Sequence, residues 1–96
     1  MSKEQIIQKI NSKLPELKDR YHIKKIGIFG SVAREEDKEK SDIDILVELY
    51  SPIGLFDFVR LENILTNILG KKVDLVSNKA LKPQIKDDVL KEVEYV

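Results

Sequence analysis

Residues 29–49 read FGSVAREEDKEKSDIDILVEL. A Gly-Ser step closes one apolar run, a dense stretch of charge follows, and a strongly apolar segment begins at Ile43. Asp42 and Asp44 stand at the entrance to that segment. Side chains at i and i+2 of a strand project from the same face, so the two aspartates point together with Cβ atoms roughly 6–7 Å apart. Ile43, Ile45, Val47 and Leu49 point one way, and Asp42, Asp44, Leu46 and Glu48 point the other. Like charges placed this closely at the edge of a core require a chemical reason.

Working outward, the same alternation appears on both sides. Upstream, IKKIGIFG is short and β-branched and ends at Gly30, which predicts a strand. SVARE predicts one helical turn after it, and EEDKEK a solvated loop. Downstream, KKVDLVS predicts a third strand in which Val73 and Leu75 share one face and Asp74 takes the other. If this strand neighbours the second, three carboxylates converge on one patch.

The remaining segments are helical. Ser2 and Gln5 fit a capping box, and Ile6, Ile7, Ile10, Leu14 and Leu17 recur at helical spacing. Pro15 falls inside that pattern and is expected to end the helix near Lys13 or to start a second one through Tyr21. SPIG reads as a turn. Leu55, Phe56, Val59, Leu61, Ile64, Leu65, Ile68 and Leu69 trace a wide apolar helical face closed by Gly70. That face is expected to be core, with part of it free for docking. NKALKP reads as a loop, Ile85, Val89, Leu90 and Val93 mark a last helix, and EYV a short edge strand. The expected fold class is α/β (α+β): a small mixed sheet with helices packed on it, residues 1–96 forming one domain.

Composition removes several function classes. Lys+Arg and Asp+Glu both number 17 in 96 residues, so bulk charge does not hold this chain on nucleic acid. With no Cys, no disulfide or thiolate site is available. MSKEQIIQKI lacks the apolar run of a signal peptide, and no stretch reaches the roughly 20 apolar residues of a membrane span. A cytoplasmic location is expected. The Lys and Glu content suits a heat-adapted source.

Three convergent carboxylates repel by kilocalories per mole at an effective dielectric of about 20. A hard divalent cation such as magnesium removes that repulsion. Two such ions about 3.5–4 Å apart support in-line displacement at phosphorus. Gly30 lets the backbone approach a phosphate, and the N–H groups and hydroxyl at Ser31 donate to its oxygens. A phosphate cradle followed by an acidic pair is the equipment of nucleotide-dependent phosphoryl transfer.

Gly30-Ser31, the Val32 to Ser41 spacer, Asp42-Ile43-Asp44 and a later Asp74 resemble the signature of the DNA polymerase β-like nucleotidyltransferase superfamily. GSVAR…SDIDILVEL and KKVDLV most resemble its minimal members, the MNT or MntA proteins, over nearly the whole chain. The resemblance implies that Asp42, Asp44 and Asp74 are catalytic and bind two Mg2+ ions. It implies that Gly30 and Ser31 hold the triphosphate of ATP. It further implies AMP transfer to a tyrosine hydroxyl of a HEPN-domain toxin, which would make the chain an antitoxin. One departure is Glu35, where family members often carry Gly.

Other readings compete. A calcium loop from Asp37 to Glu48 fails because Asp42 occupies the position that needs Gly. Ser31 has the alternative role of a helix N-cap. Arg34 is a candidate phosphate contact, or a partner of Glu36 or Asp37. His22, the sole histidine, is expected at the surface rather than as a base, and no catalytic triad can be assembled. Two alternatives to protein adenylylation are transfer to a small-molecule acceptor and neutralisation of the partner by binding alone.

Overall fold

The structure is a computed structural model that describes residues 1–36, 38 and 40–96. Asp37, named above as the start of a calcium loop and as a partner for Arg34, lies outside the described residues. Helix α1 spans Lys3–Tyr21 and opens on the expected capping box: the Ser2 hydroxyl accepts from the Gln5 N–H at 3.2 Å, and Gln5 Oε1 accepts from the Ser2 N–H at 2.9 Å. Its buried stripe is Ile6, Ile10, Leu14, Leu17 and Tyr21.

The expected break at Pro15 does not occur; α1 runs through it. Pro15 is exposed and lacks one N–H, at a cost of about 3 kcal/mol. Each apolar side chain buried around it returns about 1.5–3 kcal/mol. Leu14, Leu17 and Tyr21 together outweigh the proline. His22 caps the helix in the left-handed region at φ 57°. It is half-buried rather than a surface residue, with Nδ1 enclosed and unpartnered and the ring 5.2 Å from that of Tyr50.

Strand β1 (Ile23–Phe29) leads into the single-turn helix α2 (Gly30–Ala33), then strand β2 (Ile43–Leu49), helix α3 (Leu55–Leu69) and strand β3 (Val73–Ser77). A 3₁₀ turn at Asn78–Ala80, within the expected loop, precedes helix α4 (Pro83–Glu92) and strand β4 (Glu94–Tyr95). The sheet order is β3-β2-β1-β4. β2 and β3 are parallel, joined through α3, while β1 is antiparallel to both β2 and β4. The fold is a mixed sheet with helices packed on it.

One face of the sheet carries the main core. Ile26 and Ile28 of β1, Ile43, Ile45 and Val47 of β2, and Val73 and Leu75 of β3 bury against the stripes of α1 and α3. Leu46 is also buried but lies outside this cluster, on the face that Asp42 and Asp44 share by alternation. β2 is therefore apolar on both faces along its middle, with Asp42 and Asp44 at its entrance and Glu48 near its far end.

The face of α3 divides by position. Leu61, Leu65 and Leu69 are buried, and Phe58, Ile64 and Ile68 are partly so. Leu55, Phe56 and Val59 are exposed, contrary to their assignment to the core. In the first turn of α3 only Phe58 packs against the core, and its neighbours Leu55 and Phe56 face solvent.

Candidate active site

β1 ends where β2 and β3 begin, so Gly30, Asp42, Asp44 and Asp74 gather at one end of the sheet. Phe29 pairs with Asp44 across the antiparallel ladder, and Asp44 pairs with Asp74 across the parallel one. Asp74 thus stands on the same face as Asp44, as the alternation in both strands anticipates. Two side chains of α3 fix β3 from outside: Thr66 Oγ1 accepts from the Val73 N–H at 3.2 Å, and a Glu62 carboxylate oxygen accepts from the Leu75 N–H at 3.0 Å. These bonds satisfy the edge strand on either side of Asp74.

Gly30 sits at φ 73°, in the left-handed region. A Cβ there would overlap the Asp44 carboxylate at Oδ2. Glycine is required twice over, by backbone conformation and by close approach. The Asp44 carboxylate thereby lies directly against the start of α2, beside Ser31.

The electrostatics match a strained acidic cluster. Burial pushes the Asp44 carboxyl above its ordinary value, with further increments from Asp74 and Asp42 and an opposing one from Arg34. Asp42 makes a loose contact with Lys72, at 3.9 Å between Oδ2 and Nζ, both largely solvated. The donor set is all oxygen and all anionic, which suits a hard divalent cation. Among the described residues, no three acidic or histidine side chains are gathered closely enough to hold one. The strand register fixes where the carboxylates stand, and uncompensated like charges do not close on one another.

Arg34 is engaged by protein carboxylates. Its Nε donates to Glu36 at 3.0 Å, and its Nη1 donates to both oxygens of Glu92 at 3.0 Å. These bonds, Glu36 first, hold the guanidinium charge in place. Glu92 also accepts from the Gly30 N–H. Glu35 adopts φ 58°, in the left-handed region that glycine favours. His22 is at the opposite end of β1 and takes no part in the site.

Sequence reasoning missed Glu92, Glu62 and Thr66. The four-residue spacing of Glu62 and Thr66 places them on one side of an otherwise apolar helix, a legible signal. Glu92 carries none, because its partners are far away in the chain.

The fold that carries the Gly-Ser turn and the three aspartates is that of a nucleotidyltransferase of the polymerase β-like type. The family described as nucleotidyltransferase domain matches residues 7–96. The chain is 47% identical over 81 residues to the protein adenylyltransferase MntA of Thermococcus cleftensis, covering 84% of this chain and 82% of that protein. A solved minimal nucleotidyltransferase superposes with a TM-score of 0.84 at 36% identity, covering 98% of this chain and 95% of the other. The MNT antitoxin solved with a tri-AMPylated Shewanella oneidensis HEPN toxin shares the fold, with a TM-score of 0.71 at 22% identity, covering 97% and 70% of the two chains. The chain belongs to the nucleotidyltransferase-domain family, in its minimal, MntA-like branch.

Proposed function

We propose that residues 1–96 form one magnesium-dependent adenylyltransferase domain that acts in the cytoplasm as the antitoxin of a HEPN-domain toxin. It moves AMP from ATP to a tyrosine hydroxyl of that toxin. The observation that carries this reading is the Asp44–Asp74 register beside the Gly30 turn. Support for the acceptor comes from the relative named as a protein adenylyltransferase and from the AMPylated toxin held by a protein of this fold.

In the reaction, the acceptor oxygen bonds to the α-phosphorus of ATP. The bond from that phosphorus to the bridging oxygen of the β-phosphate breaks, and pyrophosphate departs with the electron pair. The hydroxyl proton passes to a carboxylate oxygen of the cluster. Gly30 and Ser31 hold the phosphates through N–H and hydroxyl donors, with Arg34 adding charge. Asp42, Asp44 and Asp74 would hold two Mg2+ ions, which when bound would supply charge neutralisation at phosphorus.

Binding alone is the second reading. The observation favouring it is that Tyr50, Leu55, Phe56 and Val59, which follow the end of β2 opposite Asp44, are large apolar side chains exposed to solvent. To test both, the chain and a co-purifying HEPN protein are incubated with ATP and magnesium, and the partner is weighed by mass spectrometry. Adenylate added to tyrosine is the expected result. An unmodified partner whose ribonuclease activity is nonetheless suppressed would replace adenylylation with binding.

A further inference from the structure

Glu92 is the last residue of α4, and a carboxylate there faces the negative end of the helix dipole. Its place therefore needs favourable partners, and it finds them across 58 and 62 residues of chain. One oxygen takes the Gly30 N–H, and both oxygens take Arg34 Nη1. The side chain is only 26% exposed. Its position is held from behind by β4, which lies so close to β1 that a Cβ on Gly27 would come within 2.8 Å of Val93 and of the Glu94 carbonyl.

The two donors that Glu92 occupies are donors assigned above to phosphate oxygens. A carboxylate and a phosphate present the same chemistry to an N–H and a guanidinium. We infer that Glu92 is a positioning residue of the nucleotide site: it holds the Gly30 N–H and Arg34 in place in the empty protein and is exchanged for a phosphate oxygen when the nucleotide binds. This inference rests on the proposed nucleotide site. Competition from Glu92 then sets the affinity for ATP, while Asp44 and Asp74 keep their places in the sheet.

The test compares wild type with Glu92→Gln, which keeps size and removes charge. ATP affinity is measured by titration calorimetry with magnesium present, and KM and kcat by adenylate transfer. Glu92→Gln is expected to bind ATP about tenfold more tightly and to lower KM, with kcat changed much less, since the bonds from Gly30 and Arg34 to a competing anion are weakened. Affinity unchanged within twofold, or weakened together with a lower melting temperature, would make Glu92 a structural staple and overturn the inference. Wild-type protein labelled with ¹³C at Glu carboxyls supplies a measurement that needs no variant. Adding ATP should shift the Glu92 carboxyl resonance along with the Gly30 and Ser31 amides. Movement of the two amides without Glu92 defeats this inference alone. No response at all three defeats the nucleotide site itself.

Discussion

The two ends of the sheet are built on opposite principles. At the end formed by Phe29, Ile43 and Val73, polar groups are tied down: Glu92 holds Gly30 and Arg34, and Glu62 and Thr66 hold β3 around Asp74. At the other end, beyond Leu49 and Ser77, large apolar side chains stand in water. Leu55 is 75% and Phe56 84% exposed, beside a cavity of about 400 Å³ lined by Ile53, Phe58, Ser77 and Asn78 among others. Hydrogen bonds are directional and fix atoms in place, which chemistry requires. Apolar contact is non-directional and leaves a surface ready for a partner. Under the proposed function, one chain of 96 residues keeps its reacting end apart from its docking end.

The sharpest way to break this comparison is Asp44→Asn. Nucleotidyl transfer should fall by about 10²–10³-fold, because several kilocalories per mole of charge stabilisation at phosphorus are lost. Stability should move the other way. The folded state raises the Asp44 carboxyl, so the native protein binds that proton more tightly than the unfolded chain does. The group's contribution therefore falls as pH rises from its ordinary 3.8 up through the raised native value, and at pH 7 the ionised form is unfavourable. Thermal melting of Asp44→Asn should show a higher midpoint than wild type at pH 7 and a flatter dependence on acid.

A pair of glycines compares the two ends directly. Gly30→Ala should cost roughly 2–4 kcal/mol in denaturant melts, from backbone conformation and overlap with Asp44. Gly54→Ala, where a Cβ meets nothing within 4 Å, should stay within about 0.5 kcal/mol.

Between the ends, Glu62→Ala leaves the Leu75 N–H without its partner. About 1 kcal/mol should be lost. Transfer should fall with it as Asp74 loses its support, a joint change readable by melting and by product formation. Smallest in stability is Phe56→Ser, expected to shift unfolding by less than about 0.5 kcal/mol. Association with a HEPN partner, followed by light scattering, should nonetheless weaken. If Phe56→Ser leaves association intact, the apolar end is not the docking end.

Much of this division was legible in the sequence. Alternation in two strands placed Asp42, Asp44 and Asp74 on a common face, and the register then set Asp44 beside Asp74. Glycine at the strand end signalled close approach. Illegible features depended on distant parts of the chain. Pro15 signalled a break because local propensity counts one missing N–H and not the burial on either side. Phe56 and Phe58 look alike in the sequence, but only one reaches the sheet. Glu92 found its role through the docking of α4 and β4, which no local pattern encodes. Glu35 shows the converse: a residue unsuited to φ 58° is held there by the structure around it.

Gly30, Asp44 and Asp74 are proposed to form one cation-and-phosphate site, separate from the apolar end. Its most direct test is the amide spectrum of ¹⁵N-labelled protein with ATP as small amounts of paramagnetic Mn²⁺ replace magnesium. Broadening should centre on residues 30–34, 42–44 and 73–75 and spare residues 53–59. Broadening centred on the first turn of α3, or spread evenly over the chain, would contradict the account.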